Sequence, residues 1–266
     1  MGIEDNTLSC PCPRSTYTPA QSSLITLYYS HFHLAHPFLP PQQAFIQSQT
    51  LEYLINTVEL IGLHYIFPDS VTVDRISDLK TTVRDATLSL EKVQALLLLS
   101  IVQHAHVLPL AAKKCLAAAT EYSLQLGLHC RNVSDAEMAR DYIRAESLRR
   151  TWWEVYVIDA PLAAVQVGGS LHFTAEDTPD VPLPCDGETY EAGCFDVASI
   201  SGPELDSNRH ILYSDTDLSS PAYRAEAAII LRRCLAPSQK SIDTLGASIA
   251  AWFPPAARRE AGDPPS

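Results

Sequence analysis

Residues 149–159 read Arg149-Arg150-Thr151-Trp152-Trp153-Glu154-Val155-Tyr156-Val157-Ile158-Asp159, and two of the chain's three tryptophans stand side by side in them. With Met138, Ala145, Leu148, Trp152, Val155 and Tyr156 on one face, the stretch reads as part of one long helix. Ser134 and Glu137 have capping-box spacing and set its expected start. Pro161 lacks a donor and clashes with the preceding turn, so it is expected to end or kink the helix. Glu146 and Arg150 lie four apart, as do Arg149 and Trp153. An exposed ion pair and a cation–π contact along the helix are therefore expected, with Trp152 entering the core.

Outward from this stretch the pattern stays helical. Residues 88–106 are apolar nearly all round, as in a helix buried among others. Residues 110–126 carry a stripe of Ala112, Cys115, Ala119, Tyr122 and Leu126, followed by Gly127 where a left-handed helix stop is needed. Residues 22–34 and 42–65 show mixed apolar periodicity, and Phe67-Pro68-Asp69-Ser70 punctuates them. No alternating stretch supports a sheet. The expected fold is all-α: an irregular multi-helix domain with an acidic loop insert and a short C-terminal helical pair. Its expected bounds are a tail at 1–21, a helical domain at 22–184, an acidic loop or linker at 185–220, C-terminal helices at 221–254 and a tail at 255–266.

The formal charge of −12 disfavours a polyanionic partner, because phosphate binding is driven by Lys and Arg displacing counterions. Much of that charge is local: eleven acids lie between Glu176 and Asp217 against the single base Arg209, which reads as a self-repelling loop. Seven cysteines without regular spacing read as free intracellular thiols. No secretory signal, myristoylation motif or apolar run of membrane-spanning length is visible, so no membrane association is expected.

Candidate chemistry is sparse. The Arg149, Arg150, Trp152, Trp153 cluster has the residue types of a nucleic-acid surface, but the local pairing just described and the acidic surroundings favour a structural role. His31, His33 and His36 with His104 and His106 invite a metal reading; His31 and His33 point to different helix faces, and no nearby carboxylate completes the set. Cys10 and Cys12 are too close for a thiolate zinc pair. No nucleophile elbow, phosphate loop, zinc-protease pair or dinucleotide fingerprint is present, so no catalytic residue, cofactor or metal is expected. Asp159, closing an apolar run, is the one acid expected to be buried, bonded to a neighbouring helix end.

Four segments in order carry a family resemblance: Gln94-Ala95-Leu96-Leu97-Leu98-Leu99, Leu126-Gly127-Leu128-His129, the 149–159 stretch, and the acidic 176–184 closing on Asp180-Val181-Pro182-Leu183-Pro184. With His36-Pro37-Phe38-Leu39-Pro40 and Phe45 at the start, the chain over about 36–184 resembles the middle regulatory region of fungal six-cysteine binuclear-zinc transcription factors. Where that family usually has Gly-Arg-Pro, this chain has Gly168-Gly169-Ser170, and its sequence holds no six-cysteine cluster.

The resemblance implies a nuclear transcription regulator of a metabolic or secondary-metabolite pathway. It would work through protein partners of the transcription machinery or a DNA-binding subunit, with a possible small-molecule effector, and with Gly127, His129, Arg149, Arg150, Trp152, Trp153 and Asp159 as structural or regulatory signature. The alternatives are a helical enzyme of small-molecule metabolism using Asp159, His104 and His129, or a truncated regulator without independent activity. The isolated chain is expected to leave duplex DNA unshifted at physiological salt. A salt-sensitive, sequence-dependent gel shift would contradict this.

Overall fold

In the computed structural model, the described residues are 17–165, 171–173, 180–193 and 219–235. They form ten α-helices and no strand: α1 (Pro19–Leu27), α2 (Gln42–Gln47), α3 (Glu52–His64), α4 (Val73–Asp85), α5 (Leu90–Ala105), α6 (Pro109–Gln125), α7 (Arg131–Met138), α8 (Tyr142–Ala164), α9 (Gly187–Ala192) and α10 (Ser220–Leu235). A π-helical turn, Tyr28–Phe32, continues α1, and a 3-10 turn, Pro68–Ser70, lies between α3 and α4. The fold class is all-α as expected. None of these helices is long and apolar enough to cross a membrane.

Helix α5 occupies the core, as its all-round apolarity predicts. Leu90, Val93, Leu96 to Leu99 and Val102 are all buried, and α3, α4, α6 and α8 pack around it. Ser89 caps its start by accepting the Lys92 N–H at 3.2 Å. The buried Lys92 amine then donates to the carbonyls of Arg84 and Ala86 at 2.8 and 2.7 Å, closing the end of α4, and lies over the Tyr122 ring. A cation on the last carbonyls of a helix also opposes its dipole. Between α5 and α6 the chain turns through Val107 at φ 59°, a left-handed backbone normally left to glycine, with Leu108 N–H on the Gln103 carbonyl at 2.9 Å.

The small-residue stripe of α6 explains its close seat on α5: Ala112, Cys115 and Ala119 are fully buried, and Ser100 Oγ donates to the Ala112 carbonyl at 2.9 Å. Gly127 stops the helix at φ 70°, as its position predicts.

Several boundaries differ from the sequence reading. Thr18 and Gln21 form a capping box that starts α1 inside the expected tail. Ser134 and Glu137 open nothing: Ser134 lies within α7 and bonds its own helix at Arg131 O, and α8 starts at Asp141, whose carboxylate accepts the Arg144 N–H at 2.9 Å. Spacing alone cannot choose between two caps seven residues apart. Helix α8 runs through Pro161 and ends one turn later at Ala164. The expected helix over 42–65 is interrupted at Ser48 to Leu51, giving α2 and α3. Residues 187–192, expected as acidic loop, form α9 around the buried Tyr190. The second helix of the expected C-terminal pair, and the Gly168-Gly169-Ser170 site, lie outside the described residues.

Where α1 crosses α3, Gly62 meets backbone: a Cβ there would overlap the Leu24 carbonyl oxygen. Gly62→Ala is therefore expected to cost about 1–3 kcal/mol in a urea titration despite alanine's better helix propensity. Gly187→Ala, with nothing within 4 Å of the added methyl, is the control and should stay within about 0.5 kcal/mol. Equal effects would show that the crossing relaxes freely.

Candidate functional site

Helix α8 is buried on nearly every side, and its charges go in with it. Glu146, Arg149, Arg150, Glu154 and Asp159 are all 5% exposed or less. Isolated buried charges would each cost several kcal/mol, so the arrangement has to pair them. It does so in three clusters along the helix.

The first is built on Glu146. Its carboxylate accepts Arg149 Nη1 at 3.1 Å, Arg150 Nε at 2.8 Å and the Cys185 backbone N–H at 2.9 Å. Arg150 then donates its remaining N–H groups to the carbonyls of Pro37 (3.1 Å), Cys185 (2.8 Å) and Asp186 (3.1 Å), and stacks over the Tyr190 ring at 4.1 Å. Burial alone would lower the Arg150 pKa; Glu146, Cys185 and Tyr190 together more than offset it and raise the value. One guanidinium thus joins the His36-Pro37 region, the extended 182–186 segment and α9. Trp153 Nε1 donates to the Pro182 carbonyl at 2.9 Å and fixes the same segment.

The second is built on Glu154, which accepts His36 Nδ1 at 2.7 Å and both Arg224 terminal nitrogens at 2.9 and 2.8 Å. The third is built on Asp159, which accepts the His172 backbone N–H and ring, the Phe173 N–H, and Arg232 Nη1 at 2.7 Å. Arg232 also bonds the Phe173 and Tyr156 carbonyls and lies 3.9 Å over the Tyr156 ring. In both acids burial pushes the carboxyl pKa up, and the hydrogen bonds and charges of the partners outweigh it, leaving both below their ordinary range.

The sequence reading of this stretch needs three corrections. Asp159 is not the one buried acid, since Glu146 and Glu154 are buried with it. The Glu146–Arg150 ion pair forms, but it is buried and not exposed, because the 182–186 segment and α9 cover that face. The Arg149–Trp153 cation–π contact is not among those found in the described residues; Glu146 takes the Arg149 guanidinium instead. Trp152 does enter the core, edge-on to Phe173 at 5.2 Å, and Gly127 positions His129 so that its ring lies 5.6 Å from Trp152.

The histidines go to sequence-distant acids: His33 meets Glu191 and His36 meets Glu154, while His64 meets His106 ring to ring. Among the described residues no group of three His, Cys, Asp or Glu is placed to hold a metal ion. No hydrogen bond or ion pair joins Asp159, His104 and His129. The Cys185 thiol, pushed up to about 11 by burial and by Glu146, is poorly nucleophilic.

The sequence reading missed Arg224, Arg232 and Tyr190. A signal for Arg232 was present: it extends the small apolar stripe Ala222, Ala225, Ala228 by one helical turn, and an arginine in such a stripe needs a buried acid.

A profile of the fungal specific transcription factor domain matches residues 14–203. The chain belongs to this family. The match extends beyond residues 36–184 at both ends and takes in α1, the 182–186 segment and α9. Among curated proteins the chain is similar to the C6 finger domain transcription factor iacK of Pestalotiopsis fici, 25% identical over 269 aligned positions that cover 93% of this chain. The chain spans 38% of that protein's length. No solved structure matches.

Because Glu154 and Asp159 are held below their unfolded values of about 4, the stability they contribute is complete above that pH and is lost as pH falls through the lower folded values. Asp159→Asn leaves the fully buried Arg232 with a neutral partner. It is expected to cost about 3–5 kcal/mol at neutral pH and to flatten the acid limb. Urea titrations at neutral and acid pH read both effects; an acid limb as steep as the parent's would show that Asp159 carries none of it.

Proposed function

We propose that this chain acts in transcriptional control as the regulatory region of a fungal zinc-cluster type factor, through contacts and not reactions. The observation that supports the reading most is the use of α8's polar side chains. Every acid in the family-resembling helix accepts from an arginine, a histidine or a backbone N–H of the fold itself, and its two adjacent arginines donate to Glu146 and to backbone carbonyls. A catalytic helix would leave a base or an acid facing a cavity.

On this reading Arg149, Arg150, Trp152, Trp153, Asp159, Gly127 and His129 shape the domain and present its surface to partners. The chain works in the nucleus, and its partners are the transcription machinery or a DNA-binding subunit. The regulated pathway belongs to metabolism, secondary metabolism included. The acidic 176–217 segment forms a further docking element, and five of its acids, Asp196, Glu204, Asp206, Asp215 and Asp217, follow α9 in the sequence.

Fusing the chain to an unrelated DNA-binding module in a fungal host should change reporter output in either direction. Replacing those five acids by amides should alter that output while keeping the Cys185, Asp186 and Tyr190 contacts. A silent fusion that is folded and expressed would refute the regulatory reading.

A further inference from the structure

The starts of α5 and α8 and the stretch from Pro40 to Leu54 enclose a cavity of about 240 Å3. Phe45, Leu54 and Leu90 give it apolar walls, and Gln94 and Ser147, 1% and 0% exposed, lie deepest in it. Gln94 is a polar residue in an otherwise apolar helix. Its Nε2 donates to Ser147 Oγ at 2.9 Å and to Thr151 Oγ1 at 3.0 Å.

The orientation of that amide is forced. Ser147 gives its hydroxyl proton to the Phe38 carbonyl at 3.0 Å, and Thr151 gives its own to the Ser147 carbonyl at 2.7 Å. Each hydroxyl therefore has only lone pairs to offer, and only the NH2 end of the amide can meet them. The carbonyl oxygen Oε1 is turned away from both, and among the described residues nothing donates to it. An acceptor that lines the cavity without a protein donor is open to a donor from a ligand.

The mouth carries Glu91 and Asp141 against the single cation Arg144, a net negative charge. Arg144 Nη1 lies on Glu91 at 3.1 Å, and Asp141 accepts the Arg144 backbone N–H as the helix cap. An anion would meet this net negative charge, and a cation would have to give up its hydration to reach Gln94 behind the apolar walls, whereas a neutral donor needs only Gln94.

We infer that this cavity binds a small neutral molecule with an apolar body and one hydrogen-bond donor, an alcohol, phenol or amide, whose donor meets Gln94 Oε1. The volume admits about one ring, below the roughly 300–1,000 Å3 of pockets for larger ligands. Occupancy bears on α5 and on Ser147 and Thr151 of α8, the helix that anchors α9 and α10. That regulatory consequence rests on the function proposed above; the binding itself does not.

The test titrates the 266-residue chain with benzyl alcohol, toluene, benzylamine and benzoate, following by NMR the Gln94 side-chain amide and, in every variant, the Phe45 ring protons at the cavity wall. Benzyl alcohol should give a saturable shift at millimolar concentration, with roughly tenfold higher affinity than toluene, and the two ions should give none. Ala44→Leu, which fills the cavity from its wall, should abolish the shift with the thermal transition retained; Ser48→Trp at the rim replaces it if that variant does not fold. Gln94→Met should bring benzyl alcohol down to the affinity of toluene. No saturable shift in the folded parent, equal affinity for toluene and benzyl alcohol, or unchanged binding in both filled variants would overturn the proposal. A chain that alters reporter output when tethered but does not bind refutes the pocket alone; one that binds but is silent refutes the regulatory reading alone.

Discussion

Burial of the Glu146 carboxylate is the constraint on which the rest of the structure depends. Once that oxygen pair is out of water, both neighbouring arginines must turn toward it, and their positions dictate what else can surround α8. Arg150 has N–H groups left over after Glu146, and these are met by three backbone carbonyls from two remote stretches. Buried ion pairs add little net stability compared with well-packed apolar side chains, yet leaving one partner alone is severe. Their contribution here is to specify which segments pack on α8 and in what register. The apolar mass that drives collapse sits in α5; the charges on α8 decide the arrangement it collapses into.

Much of the helical layout was legible because its causes are local. The all-round apolarity of 88–106, the small stripe of 110–126 and the left-handed position of Gly127 each follow from residues within one or two turns. The caps were less legible. Ser134 with Glu137 and Asp141 with Arg144 are both plausible starts, and the winner is set by how α7 and α8 cross. Pro161 sits in the last turn of α8, where losing one hydrogen bond costs less than ending the buried helix early. The exposure of the Arg149-Arg150 pair was misread for a related reason: sequence shows the pairing at four-residue spacing and does not show that residues 182–190 return to cover it.

The family match gives these contacts a meaning that spacing could not. His36-Pro37, the 149–159 stretch and 182–184 are the segments that first carried the resemblance, and in space they are the groups that hold one another. The chain spans 38% of the length of the related fungal factor, and its contacts describe the domain that the family match covers.

The three acids of α8 differ in how far along the chain their partners lie. Glu146 finds arginines three and four residues away, whereas Glu154 and Asp159 take guanidinium groups from Arg224 and Arg232, 70 and 73 residues later. During synthesis α8 leaves the ribosome with its first acid already paired, while its last meets His172 thirteen residues later and its arginine only when α10 follows. The partners of the C-terminal half of α8 are therefore complete only once α10 has been made. About 70 residues, several seconds of translation at typical rates, separate Glu154 and Asp159 each from its arginine, and a chain ending before Arg232 lacks the guanidinium that offsets the buried Asp159 charge.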